Sequence, residues 1–269
     1  MTATTISPDS AVAVPVRPAV RSIPTSRLIK VELRKMFDTR SGFWMLVSIG
    51  VLSVMATGAV IIFAPDNAVT YESFATAIGF PMSVILPMIA ILGVTSEWSQ
   101  RSGLTTFTLV PSRGRVIGAK AIATFLVGIV SMAVAFAVGA LGNLAGSALA
   151  GVDTVWDISM NQALSIVLAN VLGLLMGFML GVLIRNSAGA IVAYFVYGFV
   201  LAGLTMLLAS SQQWFADLQP WVDFNYAQGA LFDGNLTGEQ WANLGVSGVL
   251  WIVIPLAVGL VLIRRSEVK

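Results

Sequence analysis

The sequence predicts an all-α integral membrane protein with six transmembrane helices, an N-terminal amphipathic interfacial helix, and a re-entrant or interfacial segment before the last helix. Three observations carry that prediction. Of the 269 residues, 57% are hydrophobic and only 10% charged, whereas an ordinary soluble domain carries about 25% charged residues. The mean hydropathy of +0.88 is correspondingly high, and the apolar residues gather into six runs near or beyond the roughly 20 residues that a spanning helix requires. Finally, the fifteen Lys and Arg residues fall in the N-terminal segment, the second and fourth connections and the C-terminal tail, while the alternate connections carry only acids.

Residues 1–25 mix Thr, Ser, Pro, Val and Ala without a helical period and read as a disordered cytoplasmic tail. Residues 26–42 read as the interfacial helix. Ile29, Leu33, Met36 and Phe37 recur on one face, with Arg27, Arg34 and Asp38 opposite and Lys30 and Lys35 on the flanks. Such a helix lies along the bilayer surface, apolar face toward the acyl chains and basic face toward lipid phosphates. Its candidate functional residues are Ile29, Glu32, Leu33, Lys35 and Phe37.

Residues 43–269 form the six-span domain, with spans near Phe43–Phe63, Phe74–Thr95, Val116–Leu149, Ala163–Ile184, Ala188–Ser210 and Gly245–Ile263. The third run is too long for a simple crossing and must tilt or project beyond the bilayer. Only Arg185, Asn186 and Ser187 join the fourth run to the fifth, which predicts a tight hairpin. Pro81 and Pro87 in the second span and Pro255 in the sixth predict kinks, because proline lacks an N–H and frees the carbonyl one turn earlier. Gly173, Gly177 and Gly181 recur every four residues in the fourth span, and Gly142 and Gly146 repeat that spacing in the third. Small residues so placed let helix backbones approach closely, within one subunit or between two. The segment from Ser211 to Leu244 is rich in aromatics, Trp214, Trp221, Tyr226 and Trp241 among them. Aromatics of that density favour the membrane–water interface, and we expect one or two short helices there, broken near Pro220 and around Gly234.

Charge orients the chain. Seven basic residues precede the first span; Arg101, Arg113, Arg115 and Lys120 are assigned to the second connection, Arg185 to the fourth, and Arg264, Arg265 and Lys269 to the tail. The other connections hold Asp66, Glu72, Asp153, Asp157, Asp217, Asp223, Asp233 and Glu239. Basic residues near span ends stay on the cytoplasmic side, so both termini are expected inside a multi-pass plasma-membrane protein. The pI near 9.2 then reflects one face of a membrane rather than nucleic-acid binding. No ionisable residue is expected inside a span, where a charge costs at least about 2.5–3.5 kcal/mol.

Chemistry is narrowed by what is missing. The chain has no Cys and no His, which removes disulfides, thiol nucleophiles, Cys or His metal sites and imidazole acid–base chemistry. It has no G-x-S-x-G elbow and no pair of acids at membrane depth. The string nearest to a P-loop, Gly114 to Ala121, lacks both the Gly-Lys pair and the Ser/Thr that would hold magnesium. The expectation is a chain with no catalytic residue, no metal and no cofactor of its own. Energy for any transport then enters from the cytoplasmic surface, through another protein. The connection from Thr95 to Lys120 suits that entry. Glu97 leaves the second span, Gly103 breaks the helix, Leu104 to Leu109 offer a short amphipathic turn, Pro111 stops it, and Ser112 starts the next helix. A short surface helix of this kind fits a partner's groove and carries its motion into the attached spans. An ordinary basic loop held by positive charge fits the same residues equally well.

The string from Glu97 through Gly103 and Pro111-Ser112-Arg113 to Lys120 resembles the inner loop of ATP-binding-cassette type-2 permeases. Those loops read Glu, a few residues, Gly-Thr, a short helix, Pro-x-Ser-Arg and then Lys. Here Gly103-Leu104-Thr105 replaces Gly-Thr, and Pro111-Ser112-Arg113 has no spacer. Residues 31–35, Val-Glu-Leu-Arg-Lys, likewise resemble the family's membrane-entry helix, and the six-span layout agrees over about 240 residues.

The resemblance implies a dimer of six-span permeases, here expected as a homodimer, each docking a separate ATPase subunit that binds ATP and Mg. The implied coupling residues are Glu97, Arg101, Gly103, Leu104, Thr105, Phe107, Leu109, Pro111, Arg113 and Lys120. It implies export from the cytoplasm or inner leaflet, through a cavity lined by the second and fifth spans. Met82, Ile85, Met88, Ile89, Phe195, Phe199 and Met206 are the corresponding residues, and their apolar character points to an amphipathic or hydrophobic substrate. The alternative is a non-transporting membrane scaffold or immunity protein, and a stoichiometric ATPase partner separates the two.

Overall fold

The computed structural model describes residues 23–99 and 112–265, which are almost entirely helical, with no strand among them. Six helices are long and apolar enough to cross a membrane. The amphipathic helix is α1 (Thr25–Asp38), and the spans are α2 (Arg40–Phe63), α3 (Tyr71–Ser99), α4 (Arg113–Ala150), α5 (Met160–Ile184) and α6 (Ser187–Ser211). Two short helices follow, α7 (Gln213–Val222) and α8 (Phe224–Gly229), before α9 over residues 238–265 closes the bundle.

The amphipathic run divides at Thr39 and so ends four residues before the predicted boundary at 42. Thr39 is extended and its hydroxyl oxygen accepts from Gly42 N at 3.2 Å, starting α2 at once. Part of the apolar face meets protein: Met36 is buried, and Ile29 and Leu33 pack on the main core. Val31 and Phe37 remain exposed. The third span, predicted from Val116, begins at Arg113. Its 38 residues extend about 57 Å at 1.5 Å per residue, well beyond the roughly 30 Å of hydrocarbon.

α3 is the centre of the bundle and packs against α2, α4 and α5. Its buried face carries Phe74, Ile78, Met82, Leu86, Ala90 and Val94. The glycine stripe of α5 packs on α3 at Pro87. A β-carbon added at Gly177 would overlap Pro87 O and sit 2.8 Å from Pro87 Cα, and one at Gly181 would sit 3.4 Å from Ile91 Cα. Gly142 and Gly146 of α4 are pressed against the Phe74 ring in the same way. Both stripes therefore join helices of one chain.

Pro87 has no N–H to offer Ser83 O, and the Tyr194 hydroxyl donates to that carbonyl instead, at 2.7 Å. Tyr194→Phe should leave a partly buried carbonyl without this donor, at a cost of about 1 kcal/mol. It should also speed amide exchange around residues 83–87, read by hydrogen–deuterium exchange. In α9 a π-turn over Val249–Val253 stands just before Pro255, where the helix must accommodate another missing N–H.

The acidic end is tied by short polar contacts. Asp157 Oδ1 accepts from Glu72 N at 2.8 Å, a carboxylate at a helix N-terminus. Val155 O accepts from Tyr71 N and from Asn143 Nδ2. Pro220 lies inside α7, and the break comes three residues later at Asp223. That carboxylate caps α8 through Asn225 N and Tyr226 N, and it also takes the Thr205 hydroxyl and the Gln219 amide. Gly234, at φ 79°, makes the second break where expected.

Candidate functional site

At the basic end, three helices meet around four charges. Glu32 and Lys35 lie one turn apart on α1, Glu97 is in the last turn of α3, and Lys120 is two turns into α4. Lys35 Nζ stands 2.9 Å from Glu32 Oε1 and 2.9 Å from Glu97 Oε1. Lys120 Nζ stands 2.6 Å from Glu32 Oε2 and 3.1 Å from Glu97 Oε1. Signs alternate around the ring and sum to zero. Lys120 Nζ also donates to Gly93 O at 3.1 Å. The Lys120 and Glu97 side chains are only 2% and 1% exposed.

Two expectations are corrected here. Lys120 is not in a loop, because α4 starts seven residues before it. Charge is also not absent from the long helices: it is buried and neutralised by pairing. A buried charge is tolerated when it is both paired and hydrogen-bonded. Burial pulls the Lys35 ammonium down, but the hydrogen bonds and charges of Glu32 and Glu97 outweigh it and raise Lys35 above its ordinary value of 10.5. A raised lysine contributes stability fully below the unfolded value and loses it as pH climbs through the folded one. The contribution of Lys35 should therefore be flat across neutral pH and fade only above about 10.5, as a pH series of thermal melts would show.

The quartet forms one wall of a cavity of about 210 Å³ between α1, α2, α3 and α4, with Met36, Met45, Leu46 and Ile89 on its apolar side. Nearby, Arg113 donates to Ile263 O at 2.6 Å, near the end of α9. Arg115 donates to Ile23 O at 2.5 Å, just before α1. The segment joining α3 to α4 is thus flanked by anchors, Glu97 before it and Arg113, Arg115 and Lys120 after it. The other implied coupling residues, Arg101, Gly103, Leu104, Thr105, Phe107, Leu109 and Pro111, lie outside the described residues.

The residues nominated for a cavity separate. Met82, Ile85 and Ile89 are core residues, and Met88 is half-buried. Phe195 and Phe199 stack with centroids 5.7 Å apart, and with Met206 they are exposed on α6. A second opening, about 450 Å³, lies between α3, α5 and α6 toward the acidic end, and Phe199 is the one nominated residue that lines it. Its polar lining, including Glu72, Gln162, Asn170 and Tyr197, was not found from sequence, because selection by apolarity passes over it.

Among known protein families, the model of the ABC-2 family transporter proteins matches residues 28–201. The match runs from α1 into α6 and includes all four members of the quartet. No curated protein matches the chain.

Proposed function

The chain belongs to the ABC-2 transporter family as a membrane-embedded permease component, and on that premise we propose that it is the permease subunit of an ATP-driven exporter. In this reading it moves an amphipathic or hydrophobic substrate out of the cytoplasm or inner leaflet. A separate ATPase subunit binds and hydrolyses ATP with Mg and docks on the segment between Glu97 and Arg113. A second permease subunit, expected as an identical copy, completes the pathway. The basic end, with both termini, faces the cytoplasm of a plasma membrane.

The observation that supports this best is the charge quartet. Glu97 and Lys120 bracket the docking segment, and both bond to residues of α1. Closure of the ATPases that displaces the segment would draw on α1, α3 and α4 together, while Arg113 would add the end of α9. Rigid ion pairs between packed helices pass on such a displacement better than a solvated loop would.

Purified alone, the chain should hydrolyse no ATP. Co-expressed with the P-loop ATPase from its own genomic neighbourhood, it should purify as a stoichiometric complex whose hydrolysis drives transport in proteoliposomes. ATPase activity in the lone chain, or the failure of any such ATPase to associate, would overturn this reading.

A further inference from the structure

The groove toward the acidic end has a chemistry that the coupling apparatus does not use. It runs from Glu72 and Gln162, in the first turns of α3 and α5, to Asn170 and Tyr197. Asn170 lies eight residues beyond Gln162 on α5, about 12 Å along the axis at 1.5 Å per residue. Asn170 is 4% exposed, and its Nδ2 donates to Ile166 O at 2.9 Å. That bond fixes the amide orientation, since the reversed amide would set two oxygens against each other. Asn170 Oδ1 is left buried without a partner, and the Tyr197 hydroxyl is also buried and unpartnered. An unmade hydrogen bond on a buried polar group is unfavourable, so a ligand bringing N–H groups to both atoms would offset that cost.

The sign of the ligand follows from the charges. The groove carries the Glu72 carboxylate at its mouth and no Lys or Arg among its described lining residues. Glu72 accepts from Gln162 Nε2 at 3.2 Å, which holds it at the rim. Phe80, Phe199 and Phe232 also line the groove. Aromatic rings can attract a cation through their faces, and an acid with no base among the lining residues repels an anion.

We propose that this groove binds a lipophilic amine, whose N–H donors meet Asn170 Oδ1 and the Tyr197 hydroxyl while Glu72 selects positive charge at the entrance. The proposal rests on the permease reading only in making this ligand the transported one. The test uses the full chain in zwitterionic nanodiscs, without any ATPase, and two matched probes: a dansyl-labelled long-chain primary amine and the corresponding carboxylate. Empty nanodiscs supply the background. The amine should bind saturably and at least tenfold more tightly than the carboxylate. Asn170→Leu and Tyr197→Phe should each weaken amine binding severalfold or more. Asn170→Ser, whose hydroxyl can donate to Ile166 O and still offer a lone pair, should lose less amine binding than Asn170→Leu. Glu72→Gln should shrink the preference for amine over carboxylate. Equal binding of the two probes, absence of saturable binding, or equal loss in Asn170→Ser and Asn170→Leu would overturn the assignment. Amine binding in a chain that never couples to an ATPase would leave the groove standing and remove the permease reading. ATP-driven transport with no amine binding would do the reverse.

Discussion

Replacing Lys120 with Met should destabilise the protein by roughly 3–5 kcal/mol, the usual cost of stranding a buried charge. Glu32 and Glu97, both buried, would then share Lys35 as their one partner within the quartet. The Glu97 side chain is 1% exposed. The midpoint of thermal unfolding, followed by tryptophan fluorescence in detergent, should fall by many degrees. Lys120→Arg should lose less, because it keeps the charge, although the single Nζ site suits an ammonium better than a planar fork. Removing charge from both partners gives the sharper result. The double variant Glu97→Gln with Lys120→Met should be more stable than Lys120→Met alone, since Glu32 and Lys35 then balance and one buried acid rather than two has lost its Lys120 partner. A cycle of the two single variants and the double should show a coupling energy of about 0.5–3 kcal/mol, the range for residues in direct contact. In a complex with the ATPase, the double variant should fold yet transport poorly per ATP hydrolysed. If it folds and transports at the full rate, the quartet is only a structural tie.

Gly177→Leu should have the second large effect. At Gly177 even a single carbon would overlap Pro87 O, and backbone atoms in a packed helix pair yield little. Gly177→Ala should cost about 1–3 kcal/mol, as overpacking does, and Gly177→Leu should prevent α5 from seating on α3. The readout is the monodisperse fraction on size exclusion and the melting midpoint. Gly118 is the control: it lies in α4 with open space around it. Gly118→Ala should be neutral or stabilising by up to about 1 kcal/mol, since alanine favours helix over glycine. Equal damage at the two positions would mean that the α3–α5 contact is not what the stripe protects.

The six spans were legible because hydrocarbon permits few solutions. A run of apolar residues long enough to cross must hydrogen-bond its own backbone, so length and hydropathy alone located α2 to α6 and α9. Helix ends were less legible. Thr39 and Asp223 end helices through side-chain caps and extended backbone, whereas Pro220 sits inside the last turn of α7 without stopping it. The site was half legible. Glu97 and Lys120 stood out in a family-like string, and Glu32 and Lys35 in an amphipathic pattern, but nothing local says that α1 returns to touch α3 and α4. Those contacts span 88 positions for Lys120 and Glu32, and a charge balanced by a distant partner looks the same in sequence as a solvated one. The groove was hidden for a related reason: Asn170 and Tyr197 lie inside strongly apolar helices, where single polar residues barely alter the hydropathy.

The account turns on one contact, between an ATPase and the segment that follows α3. The chain contains no Cys, so Ser112→Cys, at the edge of that segment, introduces a unique handle. Coupled to a short photo-crosslinker in membranes that also contain the neighbouring ATPase, it should capture that ATPase and become protected when ATP is added. Labelling of Ser112→Cys by a membrane-impermeant maleimide from outside intact cells, with no ATPase captured, would contradict the account.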